Sequence, residues 1–193
     1  MFAYIKGELT QKNPAAIVLE TGGIGYEINV SLTTYSSLPV KGTVKLFIHL
    51  SIKEDAHTLY GFSTESEREI FRKLISVSGV GTNTARMILS SLTPSEVMRA
   101  IQSGNVAALK NVKGIGPKTA QRVIVDLRDK MGDSITDVPG FEGANNTPGN
   151  EALSALVSLG FDKKIAGKAL DEIIAKENTS DVEELIKLAL KKL

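Results

Sequence analysis

The chain contains no cysteine and no tryptophan. The first absence excludes disulfides, thiolate metal sites and thiol nucleophiles, and fits a reducing compartment. Only ten residues are aromatic, so no single large core dominates. The two histidines form no H-E-x-x-H pattern or cluster: His49 lies in a strand-like run and His57 beside a turn, and both read as structural or surface residues. No apolar run approaches the roughly 18 residues that cross a bilayer. Met1 is followed by FAYIKGEL rather than a basic-then-apolar leader, so a soluble cytoplasmic protein without membrane association is expected. G-x-x-x-x-G-K-[ST] is also missing: Gly160 to Gly167-Lys168 has the wrong spacing and continues with Ala169. Hydrolysis of ATP at such a site is not expected, nor is any cofactor.

Charge is present but unevenly placed. The net charge is +1, yet residues 65–131 carry eleven Lys/Arg against six Asp/Glu. Residues 1–64 balance at five each, residues 132–150 hold three acidic residues and no basic one, and residues 151–193 hold seven basic against eight acidic. A basic segment is usually plain solvated surface, and gains meaning only where it coincides with a backbone motif suited to phosphate.

Pattern divides the chain into four parts, an α+β multidomain organisation. Residues 1–63 read as five short strands: FAYIKGEL, AIVLE, GYEINV, VKLFIHLSI and HTLYGF, with a polar link near TTYSSLP. Five strands in so short a span suggest a closed OB-like β-barrel, because an open sheet would leave its edges unprotected. Residues 64–131 turn helical. Thr64 to Glu67 and Thr93 to Glu96 have capping-box spacing, Ile70, Leu74, Ile75 and Val77 form an apolar stripe, and a long helix is predicted over 119–131. Residues 132–150, GDSITDVPGFEGANNTPGN, break every period and read as a flexible linker. Residues 151–193 read as a three-helix, UBA-like module. Its stripes are Ala152, Leu153, Leu156 and Leu159, then Ile165, Ala169, Leu170 and Ile173, then Val182, Leu185, Ile186, Ala189, Leu190 and Leu193, with Gly160 as a stop and Asp162 and Ser180 as caps.

The central segment repeats itself. SGVGTNTA at 78–85 returns as KGIGPKTA at 113–120, and the pairs Leu74/Leu109, Val77/Val112, Gly79/Gly114, Gly81/Gly116, Thr84/Thr119, Ala85/Ala120 and Ile88/Val123 share one offset of 35 residues. The common plan is helix, Gly-apolar-Gly turn, helix. Glycines permit positive φ and close approach, while Val80 and Ile115 anchor the turns. The helix that follows aims its first N–H groups and the positive end of its dipole outward, a phosphate site to which Lys118 and Arg122 add charge. Nothing here reaches base edges, so binding is expected to ignore nucleotide sequence. The candidate DNA-binding residues are Gly79, Val80, Gly81, Thr82, Asn83, Arg86, Gly114, Ile115, Gly116, Lys118, Thr119 and Arg122. The pattern resembles the helix-hairpin-helix motif, in which paired hairpins grip minor-groove phosphates, one per strand.

Glu54 and Asp55 fall between two strand-like runs, at a hairpin tip. On residue types alone this is a solvated turn; a metal or acid/base pair would need a further ligand at useful spacing, and His57 is the lone candidate.

The order of K-E-D-A-x-x-L-Y-G-F at 53–62, G-V-G at 79–81, G-I-G-x-K-T-A-x-R at 114–122 and A-L-V-x-L-G-F at 155–161 resembles the RuvA family of Holliday junction-binding proteins, as do the G-E-L strand at 7–9 and G-G-I-G-Y-E at 22–27. The resemblance spans essentially the whole chain and is weakest in the linker. It implies a homotetramer, or two face-to-face tetramers, that holds a four-way junction open and square, with Glu54 and Asp55 as an acidic pin. It implies that the last module recruits a RuvB-like hexameric ATPase for branch migration, through a face including Leu156, Leu159, Gly160 and Phe161, and it admits a RuvC-like resolvase as a further partner. The chain itself would be non-catalytic. One departure stands out: the family often carries lysine at the position of Asn83, and Arg86, one turn on, is expected to compensate in part.

Two rivals remain in view. A helix-hairpin-helix glycosylase needs a catalytic aspartate soon after the hairpin, and here Asp137 falls in the linker. A general duplex-binding repair scaffold would carry the same hairpins without forming tetramers.

Overall fold

The structure is a computed structural model and describes residues 2–131, 147–177 and 181–193. Two compact units divide the chain, one holding the barrel and the hairpin helices, the other the C-terminal helices.

In the first unit, alternation builds the barrel. β1 (Tyr4–Lys12), β2 (Ala16–Thr21), β3 (Ile24–Val30), β4 (Thr43–Ile52) and β5 (His57–Phe62) close in the order β1-β2-β3-β5-β4. All pairings are antiparallel except β3 with β5, which runs parallel from Ile28↔Leu59 to Val30↔Gly61. Inward positions supply one core: Ile5, Leu9, Ile17, Leu19, Ile28, Val30, Leu38, Val44, Leu46 and Ile48. Gly61 is required where Ile28 and Leu46 fill the interior, since a Cβ there would stand 2.6 Å from Ile28 Cγ2.

β5 serves two cores. Leu59 packs against the barrel interior, whereas Tyr60 and Phe62 join the helical core. Their rings lie 5.2 and 4.9 Å from that of Phe71 on α2 (Glu65–Ile75), which also stacks against His49 at 5.3 Å. α2 is followed by α3 (Thr82–Ser91), α4 (Pro94–Gln102), α5 (Val106–Lys110) and α6 (Pro117–Met131). The helix expected from 119 thus starts at Pro117, a residue suited to a first turn.

Two local readings change. The polar link near TTYSSLP is a helix, α1 (Leu32–Ser37), capped by Ser31. The capping box at Thr64 is only half formed: Thr64 Oγ1 accepts from the Glu67 N–H, but the Glu67 carboxylate does not turn back to the cap. It is buried and accepts instead from Ser31 Oγ at 2.5 Å, Thr34 Oγ1 at 2.7 Å and Ser63 Oγ at 3.4 Å. Hydroxyl donors therefore stabilise a desolvated carboxylate that pins α1 to α2. At Thr93 both halves of the box are present.

In the second unit, α7 (Pro148–Ser158), α8 (Lys163–Glu177) and α9 (Val182–Lys192) surround Ala152, Leu156, Ala166, Leu170, Ile173, Leu185 and Ala189. α7 begins inside the stretch read as linker, with Thr147 as N-cap; residues 132–146, the rest of that stretch, lie outside the described residues. Asp162 caps α8 as expected, accepting from the N–H groups of Lys164 and Ile165. Other expectations shift. Leu159, Ile165, Leu190 and Leu193 are exposed rather than packed, with Ala166 in the inward place expected of Ile165. Asp181 is the cap of α9, while Ser180 lies outside the described residues.

Replacing Glu67 with alanine leaves the Ser31 and Thr34 hydroxyls buried without their acceptor. The expected loss is about 3 kcal/mol of unfolding free energy, read from the urea midpoint at unchanged m-value.

Candidate nucleic-acid interface

The two glycine turns are the same object built twice. In the first, the Val77 N–H donates to the Leu74 carbonyl at 3.1 Å, Val80 to Val77 at 3.0 Å, and Ala85 to Gly81 at 2.9 Å. In the second, Val112 donates to Leu109 at 3.1 Å, Ile115 to Val112 at 3.1 Å, and Ala120 to Gly116 at 2.9 Å. Gly79 and Gly114 take φ of 90° and 86°, the left-handed region that penalises a side chain. Val80 and Ile115 are buried in the helical core and fix each turn to it.

Gly81 and Gly116, the second glycine of each turn, are used differently. Neither has positive φ, and a Cβ on either would meet nothing within 4 Å. The space beside each turn is therefore open. Gly81 caps α3 with no side-chain acceptor, so the N–H groups of the first turn stay unsatisfied by the helix. Gly116 stands in the same place before α6, where the Ala120 N–H makes the first helical bond.

Charge separates the copies. Between Glu96 and Asp126 there is no acidic residue, and Lys110, Lys113, Lys118 and Arg122 are all exposed around the second turn. Arg122 Nε approaches Asp126 Oδ2 at only 3.8 Å. The first turn is neutral from Ser76 to Ala85. Three other cations of the basic segment face the protein, whereas Arg99 and Arg128 are exposed. Arg68 is buried and donates to the Ala3 carbonyl, Glu65 and Glu69, while Arg72 donates to Glu69 at 2.9 Å. Arg86 turns to the barrel, Nη1 donating to the Ala15 carbonyl at 2.9 Å and to Asn29 Oδ1 at 3.0 Å. The expected compensation for Asn83 thus meets a competing role.

Glu54 and Asp55 are exposed in the β4–β5 turn, which the Lys53 N–H closes by donating to the Ala56 carbonyl at 2.9 Å. His49 is structural. Burial first, then the positive charges of Arg72 and Arg68, hold its pKa below the usual imidazole value. In the second unit Leu156 is fully buried, Phe161 is half-buried against the same core, and Leu159 and Gly160 are exposed. Leu156 therefore supports that surface from beneath.

Family models match three successive stretches: the RuvA N-terminal domain over residues 1–61, a SAM-like helix-hairpin-helix tandem over 71–129, and the RuvA C-terminal domain over 147–193. The chain belongs to the RuvA family. Curated members similar to it end to end include proteins of Christiangramia forsetii, 55% identical over 193 residues, Parabacteroides distasonis, 51% over 196, and Flavobacterium psychrophilum, 49% over 194, each covering 100% of both chains. All three are named Holliday junction branch migration complex subunit RuvA. Among the described residues no helix is long and apolar enough to cross a membrane.

Sequence reasoning missed the contacts that seat the first hairpin: Tyr60, whose hydroxyl donates to Thr82 Oγ1 at 2.9 Å, and Asn29. The available signal was the difference between the two copies of the repeat, where Thr82, Arg86 and Ser90 stand opposite Pro117, Gln121 and Val125.

The two glycine positions of a turn respond differently to alanine. Gly114→Ala forces a Cβ into the left-handed region and costs about 1–2 kcal/mol. Gly116→Ala meets no atom and costs below about 1 kcal/mol, as for other cap substitutions. Thermal unfolding of the two variants side by side checks the ordering.

Proposed function

We propose that the protein is a non-catalytic subunit that binds four-way DNA junctions irrespective of sequence. As a homotetramer it holds them open, and its C-terminal helices recruit a RuvB-like hexameric ATPase that drives branch migration in recombination and repair. The observation that carries the reading is the pair of glycine turns with matching hydrogen-bond skeletons, each leaving helix-start amides beside open space.

Phosphate oxygens accept from such amides, and the helix dipole favours their charge. Lys118 and Arg122 add Coulombic attraction at the second turn, where neighbouring carboxylates are lacking until Asp126. Base edges play no part, so any sequence serves. At the crossover the chemistry reverses. A carboxylate about 6 Å from a phosphate is repelled by roughly 0.7 kcal/mol in water and more where water is excluded. Single contacts of this size decide little. Glu54 and Asp55 from four subunits, gathered at one point, disfavour a continuous duplex there and favour four strands parting around them. The exposed Leu159 beside Gly160 in the second unit gives the motor an apolar contact, with Phe161 contributing its accessible edge.

Gel shifts comparing a synthetic four-way junction with linear duplex, alongside a native mass, test the whole reading. The expected result is a tetramer that prefers the junction; a monomer binding both equally identifies a general duplex scaffold instead.

Two substitutions separate the components. Lys118→Ala weakens junction and duplex alike, and lowers the slope of log K against log salt by about 0.9, the loss of one neutralised phosphate. Glu54→Gln with Asp55→Asn raises affinity for linear duplex relative to the junction; an unchanged ratio removes the acidic tip from the mechanism.

A further inference from the structure

The first hairpin is docked on the barrel along a single stripe of α3. Thr82, Arg86 and Ser90 stand at i, i+4 and i+8, one face of a helix. Tyr60 Oη on β5 donates to Thr82 Oγ1 at 2.9 Å. Arg86 Nη1 donates to the Ala15 carbonyl, just before β2, and to Asn29 Oδ1 on β3. The Leu32 N–H on α1 donates to Ser90 Oγ at 3.0 Å, and Thr33 Oγ1 donates to the Leu89 carbonyl at 2.6 Å. Successive turns of α3 are thus bonded to separate pieces of the barrel unit. At the matching positions the second hairpin has Pro117, which lacks an N–H, and Gln121 and Val125, both exposed.

We propose that Arg86, together with Tyr60 and Asn29, is a positioning residue for junction selectivity: it fixes the first hairpin against the barrel instead of neutralising a phosphate. The inference rests on the phosphate-binding reading of the hairpins given above. An Nη1 nitrogen carries two N–H bonds, and both are taken up by protein acceptors. The first turn carries no charge of its own, so its hold on phosphate comes from amide hydrogen bonds, which weaken steeply with misalignment. Coulombic attraction to Lys118 falls slowly with distance and tolerates small displacements. Placement therefore matters most at the neutral hairpin. Tyr60 lies five residues beyond Asp55 on the strand that leaves the acidic tip, so the bond to Thr82 sets the spacing between tip and turn. A junction makes both contacts in fixed register; a linear duplex does not need that register.

The test uses the full chain with Arg86→Met, Asn29→Ala and the double variant. Junction and duplex affinities are titrated against salt, and hydrogen exchange is followed at the amides of 79–83 and of Ile115, Gly116, Lys118 and Thr119. Each single variant is expected to lower the junction-to-duplex affinity ratio about tenfold, the size of one charge-assisted hydrogen bond. The salt slope stays as it was, and exchange rises at 79–83 alone. The double variant is no worse than Arg86→Met, because the bond to Asn29 is already lost with Arg86. A slope reduced by about 0.9 in Arg86→Met makes Arg86 a phosphate ligand and overturns the proposal, as does unaltered exchange at 79–83. Should Arg86→Met fail to fold, Asn29→Ala and Tyr60→Phe, the latter removing a single oxygen atom, carry the test: unaltered exchange at 79–83 and an unaltered junction-to-duplex ratio overturn the proposal. Exchange is measured without DNA, so it judges the docking even if the unaltered chain ignores junctions, in which case the functional reading falls and the docking stands.

Discussion

Phe71 wedged against the outer face of β5 is the contact on which the rest of the first unit depends. Leu59 looks into the barrel, while Tyr60 and Phe62 look out and both meet Phe71. One strand thereby belongs to both cores, and barrel and helices become a single compact unit. Period-two alternation makes this possible, since a strand presents two independent faces. Burial of these rings supplies the apolar area, and aromatic pairs tilted at about this spacing add attraction beyond it. The buried Glu67 adds direction that apolar packing lacks, because hydroxyl-to-carboxylate bonds hold only within a narrow geometry.

From that frame the duplicated turns acquire unequal duties. Their backbones match bond for bond, yet their surroundings have parted. One is neutral and fastened to the barrel through α3. The other is surrounded by Lys110, Lys113, Lys118 and Arg122. The segment's apparent surplus of positive charge is misleading as a sum. Arg68 and Arg72 are paired with glutamates and Arg86 is bonded to the barrel, so four exposed cations around the second copy contrast with a neutral first turn. Duplication supplies two equivalent backbones, and the side chains around them then specialise.

Most of this architecture was legible beforehand where a period or a repeat spoke. Alternation in AIVLE and VKLFIHLSI marked the strands, and the constant offset between Gly79 and Gly114 marked the hairpins. What escaped was decided by partners distant in the chain. TTYSSLP has no apolar period of its own, and α1 forms because Ser31 caps it and Glu67 receives Ser31 and Thr34. The spacing Thr64 to Glu67 is identical whether the glutamate turns back or reaches forward, so local pattern could not choose between them. Arg86 reads as a free cation in the sequence because its acceptors, Ala15 and Asn29, lie more than fifty residues upstream. In the first turn of α8 the inward position falls one residue from the expected one, on Ala166 instead of Ile165.

The parallel pairing of β3 with β5 has a mechanical consequence. A hairpin bonded along one edge can swing about its base, whereas β5 is bonded to β4 on one side and to β3 on the other. Glu54 and Asp55 therefore sit on a braced bracket instead of a hinge. Any load on that tip passes into the barrel wall as shear across two ladders, not as bending about a single one.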